Sequence, residues 1–494
     1  MRASLKLLSP SVPDLAVVRI LTTRQRPSWT VPWQMRPVES SSGSGTIIGT
    51  TKSGGVRILT AAHVVADSTY VSIQRNSDFY DSEKIPAKVV STFHGADLAL
   101  LEISQEELGA TSVDHTNFAS LPMASATAIP DLRSRVNVVG YPVGGDRVSV
   151  TEGVVSRFDM VRYSHSGRYA ASLTVDSPIN AGNSGGPIVD PATNSIVGVA
   201  FQKLVGNGIE NQGYGVPPYL IWRFLRGVDE RGATRNELSS LGIAIQSLES
   251  PALRNYLKAV SGGVLVNWSR NPIFRTNDVI VRVEGNAVDN NGLISFYGRR
   301  IHFSALIHAK FADETVAIDV LRDGEIVTVN APLLSSSAND LVPTLQYETK
   351  PEYLVTGGLV FQPLSLDYLQ GWPERERPSH LQELVNRGKT TSDTDQVIIL
   401  TNILAAKCNA GYGSGWVGAP ILKTVEGEPV RDMRHLERII QAKMADTSPF
   451  LKFTLKGFSD DQVLVLNKEM VRAEDPLIQT IYDIPRLVSV DRAL

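Results

Sequence analysis

One cysteine, Cys408, is all that the 494 residues contain, so no disulfide can close within the chain and no cysteine cluster can hold a metal. That fits a reducing compartment, with Cys408 read as a small core residue. Net charge is scarce as well. Against 48 Lys and Arg stand 51 Asp and Glu, and the resulting −3 gives no electrostatic reason to expect nucleic acid or an anionic membrane as partner. No apolar run approaches the roughly eighteen residues of a membrane span. The N-terminal stretch, with Arg2, Lys6 and a few leucines, is short and broken by Pro10 and Pro13, so it does not read as a signal peptide. Localisation is left open, with the cell interior or an organelle favoured over secretion. There is no His-Glu-x-x-His helix, no paired-cysteine spacing and no Gly-x-x-x-x-Gly-Lys-Ser/Thr loop. The residues therefore announce no metal, no cofactor and no ATP motor.

What is present is ordinary in bulk and specific in detail. Hydrophobic residues at 42% and charged residues at 20% describe a globular chain, and its length suits about three domains. The detail lies in Asn180-Ala-Gly-Asn-Ser-Gly-Gly-Pro-Ile188. A serine hydroxyl is a poor nucleophile unless a base and a site for the developing oxyanion stand beside it. Gly182 and Ser184 can aim two backbone N–H groups at one point only in a turn that residues with a Cβ avoid. A base is available in Leu59-Thr-Ala-Ala-His63-Val-Val, and an acid in Ala96-Asp97-Leu-Ala-Leu-Leu101. Taken singly, these read as a Gly-rich turn, a core histidine and a strand-start cap. The order His63…Asp97…Ser184 supplies all three members of a nucleophilic triad. His94, three residues before Asp97, is the nearest rival to His63, but its flanks resemble a surface turn.

The three motifs resemble those of the HtrA/Deg serine proteases. That resemblance implies a mostly β, multidomain chain: a chymotrypsin-like double β-barrel with the site in the cleft, then a PDZ domain, then a second PDZ-like α+β domain. The corresponding boundaries are 1–235, with a linker helix over 219–231, then 236–332 and 333–494. His63, Asp97 and Ser184 are the implied catalytic residues, with Gly182 and Ser184 forming the oxyanion hole. Pro178 stands where trypsin-like enzymes place a pocket carboxylate, so cleavage after Lys or Arg is not expected. A pocket wall of Ile179, Val199 and Ala200 suits a small or medium aliphatic side chain. Ala181 occupies a position where many relatives have proline, which loosens the turn slightly.

From residue 45 to 215, short β-rich runs alternate with turn residues, a pattern shared by barrels and sandwiches. The resemblance selects two six-stranded barrels. The segment Arg26–Gln34, rich in Pro and Trp, and the following Ser41-Ser-Gly-Ser-Gly are similar to the plant-type Deg branch, where a loop in this region helps subunits touch. Activation loops are implied around 157–170 and 203–212. Further on, Leu241-Gly242-Ile243 maps onto a PDZ carboxylate-binding loop, helices are expected at 252–259 and 301–311, and Arg322-Asp-Gly-Glu marks a hairpin. Val281–Val288 and Lys423–Val430 look like an internal repeat of strand and Gly turn followed by a helix. The region 357–365 is expected as a strand and 433–443 as a helix.

These readings converge on an ATP-independent serine endoprotease acting on unfolded or damaged polypeptides, with peptide C-termini as PDZ ligands. The family further implies homo-oligomers, trimers or multiples of trimers. The alternative is a holding chaperone or peptide-binding scaffold whose barrels no longer cleave.

Overall fold

The computed structural model describes residues 12–76, 83–110, 118–145, 147–177, 179–203, 212–259, 262–390, 395–413, 418–457 and 460–489. The chain divides into two compact units. One comprises Met1–Arg24 and Glu39–Ala338; the other comprises Gln25–Val38 and Asn339–Leu494. The boundary expected near 333 lies close to this division, whereas the one near 235 falls inside the first unit. One large apolar core runs from Val18 to Leu333 in that unit, with smaller clusters around Tyr141 and around Leu248.

The first unit opens with a seven-stranded sheet instead of the six strands expected. The difference has a simple cause. Lys84–Pro86 and Lys88–Phe93 are separated by Ala87 alone, yet they form the two opposite edges of the sheet. One strand bent at Ala87 thus rolls the sheet upon itself, and counted as one it restores six. Pro86 ends the short edge, where a residue without an N–H costs nothing to the ladder. The second sheet is a closed six-stranded barrel built from Arg135–Gly140, Ser149–Arg162, Tyr169–Asp176, Pro187–Asp190, Ser195–Lys203 and Gln212–Val216. The region 157–170 is a β-hairpin rather than a long loop, with its turn at 163–168. Most of 203–212 lies outside the described residues.

The expected linker helix is present as Pro218–Arg231. Proline opens it and Gly232 closes it in the left-handed conformation, the usual asymmetry of helix ends. Its Arg223 is 3% exposed. Nε donates to Lys310 O at 3.0 Å and Nη2 to Glu237 O, and the guanidinium lies over Phe93 at 4.6 Å and Phe311 at 4.8 Å. Burial pulls its pKa down to about 10, so it remains a cation and joins the first barrel to the domain that follows.

That domain is an antiparallel sheet in the order Ile243–Ser247, Val264–Ser269, Val279–Val283, Thr315–Arg322, Glu325–Pro332. The helix expected at 252–259 is found as Pro251–Leu257. The one expected at 301–311 shrinks to Ser304–His308. Tyr297 and Gly298 both take positive φ and turn Leu293–Phe296 back on Arg299–His302, so residues 301 and 302 belong to a hairpin.

The second unit repeats the pattern. Leu359–Pro363, Ile398–Ile403, Ile421–Val425, Phe450–Lys456 and Asp461–Asn467 follow one another in the same order, with Leu354–Thr356 added at the front. The strand expected at 357–365 is found as Leu359–Pro363, and a hairpin around Gly357 and Gly358 pairs it with Leu354–Thr356. In both sheets the third strand ends in a Glu-Gly turn, Glu284-Gly285 and Glu426-Gly427, with a two-residue strand after it. A helix, Met433–Ala445, follows the second copy directly, while a hairpin intervenes after the first. Cys408 is buried, as expected, against Gly357. The Pro/Trp segment 25–38 is part of this unit's own packing: Trp33 meets Tyr353 edge-on at 5.7 Å and Asn402 Nδ2 donates to Thr30 O at 3.0 Å.

Arg223→Met would keep much of the packing but leave the carbonyls of Lys310 and Glu237 without their donor. At about 1–3 kcal/mol for each buried group left unpaired, the variant should unfold several degrees below the parent in a thermal scan.

Candidate active site

His63 sits in the four-residue helix Ala62–Val65, which follows the strand Val56–Thr60. Ala62, Val64 and Val65 bury themselves in the first barrel and leave the histidine to face outward. Asp97 ends the tight turn His94–Ala96 in the left-handed conformation, φ +52°. Its backbone geometry aims the carboxylate back at the histidine. Oδ1 accepts from the His63 backbone N–H at 2.9 Å and Oδ2 from Nδ1 at 2.8 Å. The side chain of Asp97 is 1% exposed and that of His63 is 32% exposed, so the acid is sealed and the base opens to solvent.

Burial raises the Asp97 pKa, but the charges of His63 and His165 and the hydrogen bonds from His63 outweigh it and hold the carboxyl at about 2. Burial likewise lowers the His63 pKa. The charge and hydrogen bond of Asp97 more than compensate, with Arg24 opposing, and leave the imidazole above its usual 6.5.

Ser184 lies in the turn that precedes Pro187–Asp190. It shares a cavity of about 580 Å³ with His63, Val64, Gly182, Val143, Leu21 and Arg24. The turn is pinned from the first barrel by a buried serine that the sequence reading did not single out as a site residue. Ser44 Oγ donates to Gly182 O at 2.7 Å and accepts from Tyr141 N at 2.8 Å, while Ser44 N donates to Ser184 O at 2.9 Å. Val143 N donates to Ala181 O at 2.8 Å. Because the peptide is planar and trans, fixing that carbonyl turns the Gly182 N–H the opposite way. Gly182 and Gly185 take φ of +97° and +84°. A Cβ would stand 2.3 Å from Tyr141 O at Gly182 and 2.2 Å from Thr60 Oγ1 at Gly185, so glycine is required at both.

The other expected site residues fall elsewhere. Ile179, Val199 and Ala200 are buried in the core, and the cavity beside Ser184 is lined by none of them. Pro178 lies outside the described residues. Leu241 is buried, Gly242 has φ +70° with its N–H donating to Ser240 Oγ at 3.0 Å, and Ile243 begins a strand at the edge of its sheet. His94, set aside as part of a surface turn, is hydrogen-bonded to the buried His165. Only the proximity of His94 to Asp97 in sequence hinted at this; His165, from the other barrel, carried no local signal.

The Ser184 turn, His63 and the buried Asp97 lie across two β-barrels, with Ser184 and His63 on one cavity and Asp97 bonded to His63, an arrangement compatible with a trypsin-like peptidase. A trypsin-like peptidase domain model matches residues 43–199 and a PDZ domain model matches 342–491. The chain is 31% identical to the putative mitochondrial protease Do-like 3 of Arabidopsis thaliana, over 98% of its own length and 82% of the relative's. It is 32% identical to the chloroplastic protease Do-like 2 of the same plant, over 96% and 75%. Among solved structures, the HtrA-type protease AlgW with a tripeptide aligns with 66% of this chain and 97% of its own, at 22% identity and TM-score 0.49. The chain belongs to the Do-like (Deg/HtrA) family of serine proteases, and it is a serine-type endopeptidase. Among the described residues no helix is long and apolar enough to cross a membrane.

Gly182→Ala should force the Tyr141–Val143 segment or the nucleophile turn to move. On the expectation that the Gly182 N–H is an oxyanion donor, whose loss costs about 10²–10³ in kcat, peptide hydrolysis should fall by that order with the protein still folded by circular dichroism.

Proposed function

We propose that Ser184, His63 and Asp97 act as a catalytic triad in ATP-independent cleavage of unfolded or damaged polypeptides. The observation that carries the reading is the buried carboxylate bonded through both oxygens to His63, on whose cavity Ser184 opens. His63 takes the proton as Ser184 Oγ attacks the carbonyl carbon, and returns it to the leaving amine when the peptide bond breaks. Water then enters and the same histidine deprotonates it to release the acyl group. Asp97 holds the imidazole's tautomer and stabilises its cation. The N–H groups of Gly182 and Ser184 receive the oxyanion.

The remaining assignments belong to the same reading. The functional division is 1–235 as protease, 236–332 as a PDZ domain and 333–494 as a second PDZ-like domain. The shared strand order of the two later sheets supports the pair. The free edge beginning at Ile243, preceded by Leu241 and Gly242, suits capture of a peptide C-terminus by strand addition. The wall of Ile179, Val199 and Ala200 is not carried into this reading, because the three are buried in the core and line no part of the cavity beside Ser184. Residence in an organelle accords with the mitochondrial and chloroplastic relatives, and assembly as trimers or their multiples belongs to the same reading.

Casein unfolded by reduction should be degraded without ATP by the parent and left intact by Ser184→Ala. Equal, negligible cleavage by both, with casein kept soluble, would instead favour a holding chaperone. The base must be neutral to act, and its pKa is raised, so kcat/KM should fall as pH drops through a midpoint above 6.5. Asp97→Asn removes the charge that raises it and disturbs the tautomer, with an expected loss of about 10⁴ in kcat.

A further inference from the structure

Two histidines that this mechanism leaves unused meet beside it. His94 opens the turn that delivers Asp97, and His165 lies in the 163–168 turn of the second barrel's hairpin. His94 Nδ1 and His165 Nε2 are 2.8 Å apart. The His165 ring is 8% exposed, and its centroid is 6.1 Å from that of His63. The next residue, Ser166, donates from Oγ to Gly95 O at 3.3 Å. The Asp97 turn is thus bonded, at two successive residues, to an element of the opposite barrel.

The hairpin is firm enough to act as a brace. Gly167 N donates to Tyr163 O and Tyr163 N to Arg168 O, both at 2.8 Å, and Tyr163 OH is anchored on Ala171 O at 2.8 Å. Asp97 needs such a brace, because a non-glycine residue in the left-handed region is strained and stays there only if its surroundings hold it. The far side of the turn is held by Thr92, which exchanges backbone hydrogen bonds with Thr234 and Asn236, and by Leu238 against Gly95.

We propose that His165 is a positioning residue of the triad: through His94 it locks the His94–Ala96 turn so that Asp97 presents both carboxylate oxygens to His63. The proposal rests on the triad reading above. It carries a signature that simple packing would not. In a contact between two ring nitrogens, one donates and the other must offer a lone pair, so at least one imidazole has to be neutral. Protonating both removes the acceptor and sets two cations side by side. A side chain that keeps a donor and an acceptor should therefore replace the imidazole where an apolar ring cannot.

The test compares the full-length parent, His165→Gln and His165→Phe in kcat and KM between about pH 5 and 8, with Ser184→Ala as blank. In parallel, the low-field Nδ1 proton resonance of His63 is recorded for the same His165 variants in the Ser184→Ala background. His165→Phe should lower kcat about 10- to 100-fold, the scale of an ångström's misplacement, and shift or abolish the resonance, leaving KM within about twofold. Glutamine keeps a donor and an acceptor without titrating. His165→Gln should recover most of the lost kcat and retain the resonance. Unchanged kcat and resonance in His165→Phe, or equal losses in both variants alongside equal losses of thermal stability, would overturn the proposal. Equal cleavage by the parent and Ser184→Ala would instead sink the triad reading, while the resonance would still report whether His165 holds the His63–Asp97 pair.

Discussion

The structure depends on one ionised carboxylate kept out of water. A buried, unpaired Asp97 would give up its charge. It keeps that charge because both oxygens receive hydrogen bonds from a single residue, His63, and because the backbone at Asp97 is bent into a conformation that directs them there. The first barrel is arranged to make this possible. One strand ends just before His63, another begins just after Asp97, and Thr60 and Ala99 of those two strands are register partners in the sheet. Residues 34 apart in sequence are thereby adjacent in space.

The second barrel brings Ser184, and the first barrel fixes it there. Ser44 bonds to both Gly182 and Ser184, and Thr60 Oγ1 in turn donates to Ser44 O at 2.7 Å. The Ser-Gly-Ser-Gly segment is therefore more than a small-residue stretch. It is a strand, Glu39–Thr50, whose Ser44 hydroxyl reaches the Gly182–Ser184 turn and whose Gly43 leaves room beside Ser184 O. Arg223 plays a related part at the other end, tying Phe93, near the Asp97 turn, to the domain after the linker helix. Site geometry and interdomain packing thus share the segment from Thr92 to Asp97.

Much of this was legible in the sequence, for local reasons. The catalytic motifs are contiguous, and their glycines are demanded by close backbone approach. The linker helix declares itself by apolar spacing, and the Asp-Gly and Glu-Gly turns by their chemistry. What was hidden depends on contacts between distant segments. His94 looks like part of a surface turn until His165 arrives from the other barrel. The helix expected over 301–311 starts only at Ser304 because the Tyr297-Gly298 turn, which draws residues 301 and 302 into a hairpin, was not recognised. Lys468–Ile481 escaped notice as a helix because Pro476 lies within it, although Asn467 caps its start. That residues 25–38 pack with the second unit follows from Trp33 and Thr30 finding partners more than 300 positions away.

The most direct test of the central claim is to react the protein with a fluorophosphonate and locate the adduct by mass spectrometry, with His63→Ala and Asp97→Asn as comparisons. The account predicts one adduct, on Ser184, formed much more slowly in both variants, at a rate in the parent that falls on acidification as His63 gains its proton. An adduct on another residue, none at all, or equal rates in the parent and His63→Ala would contradict it.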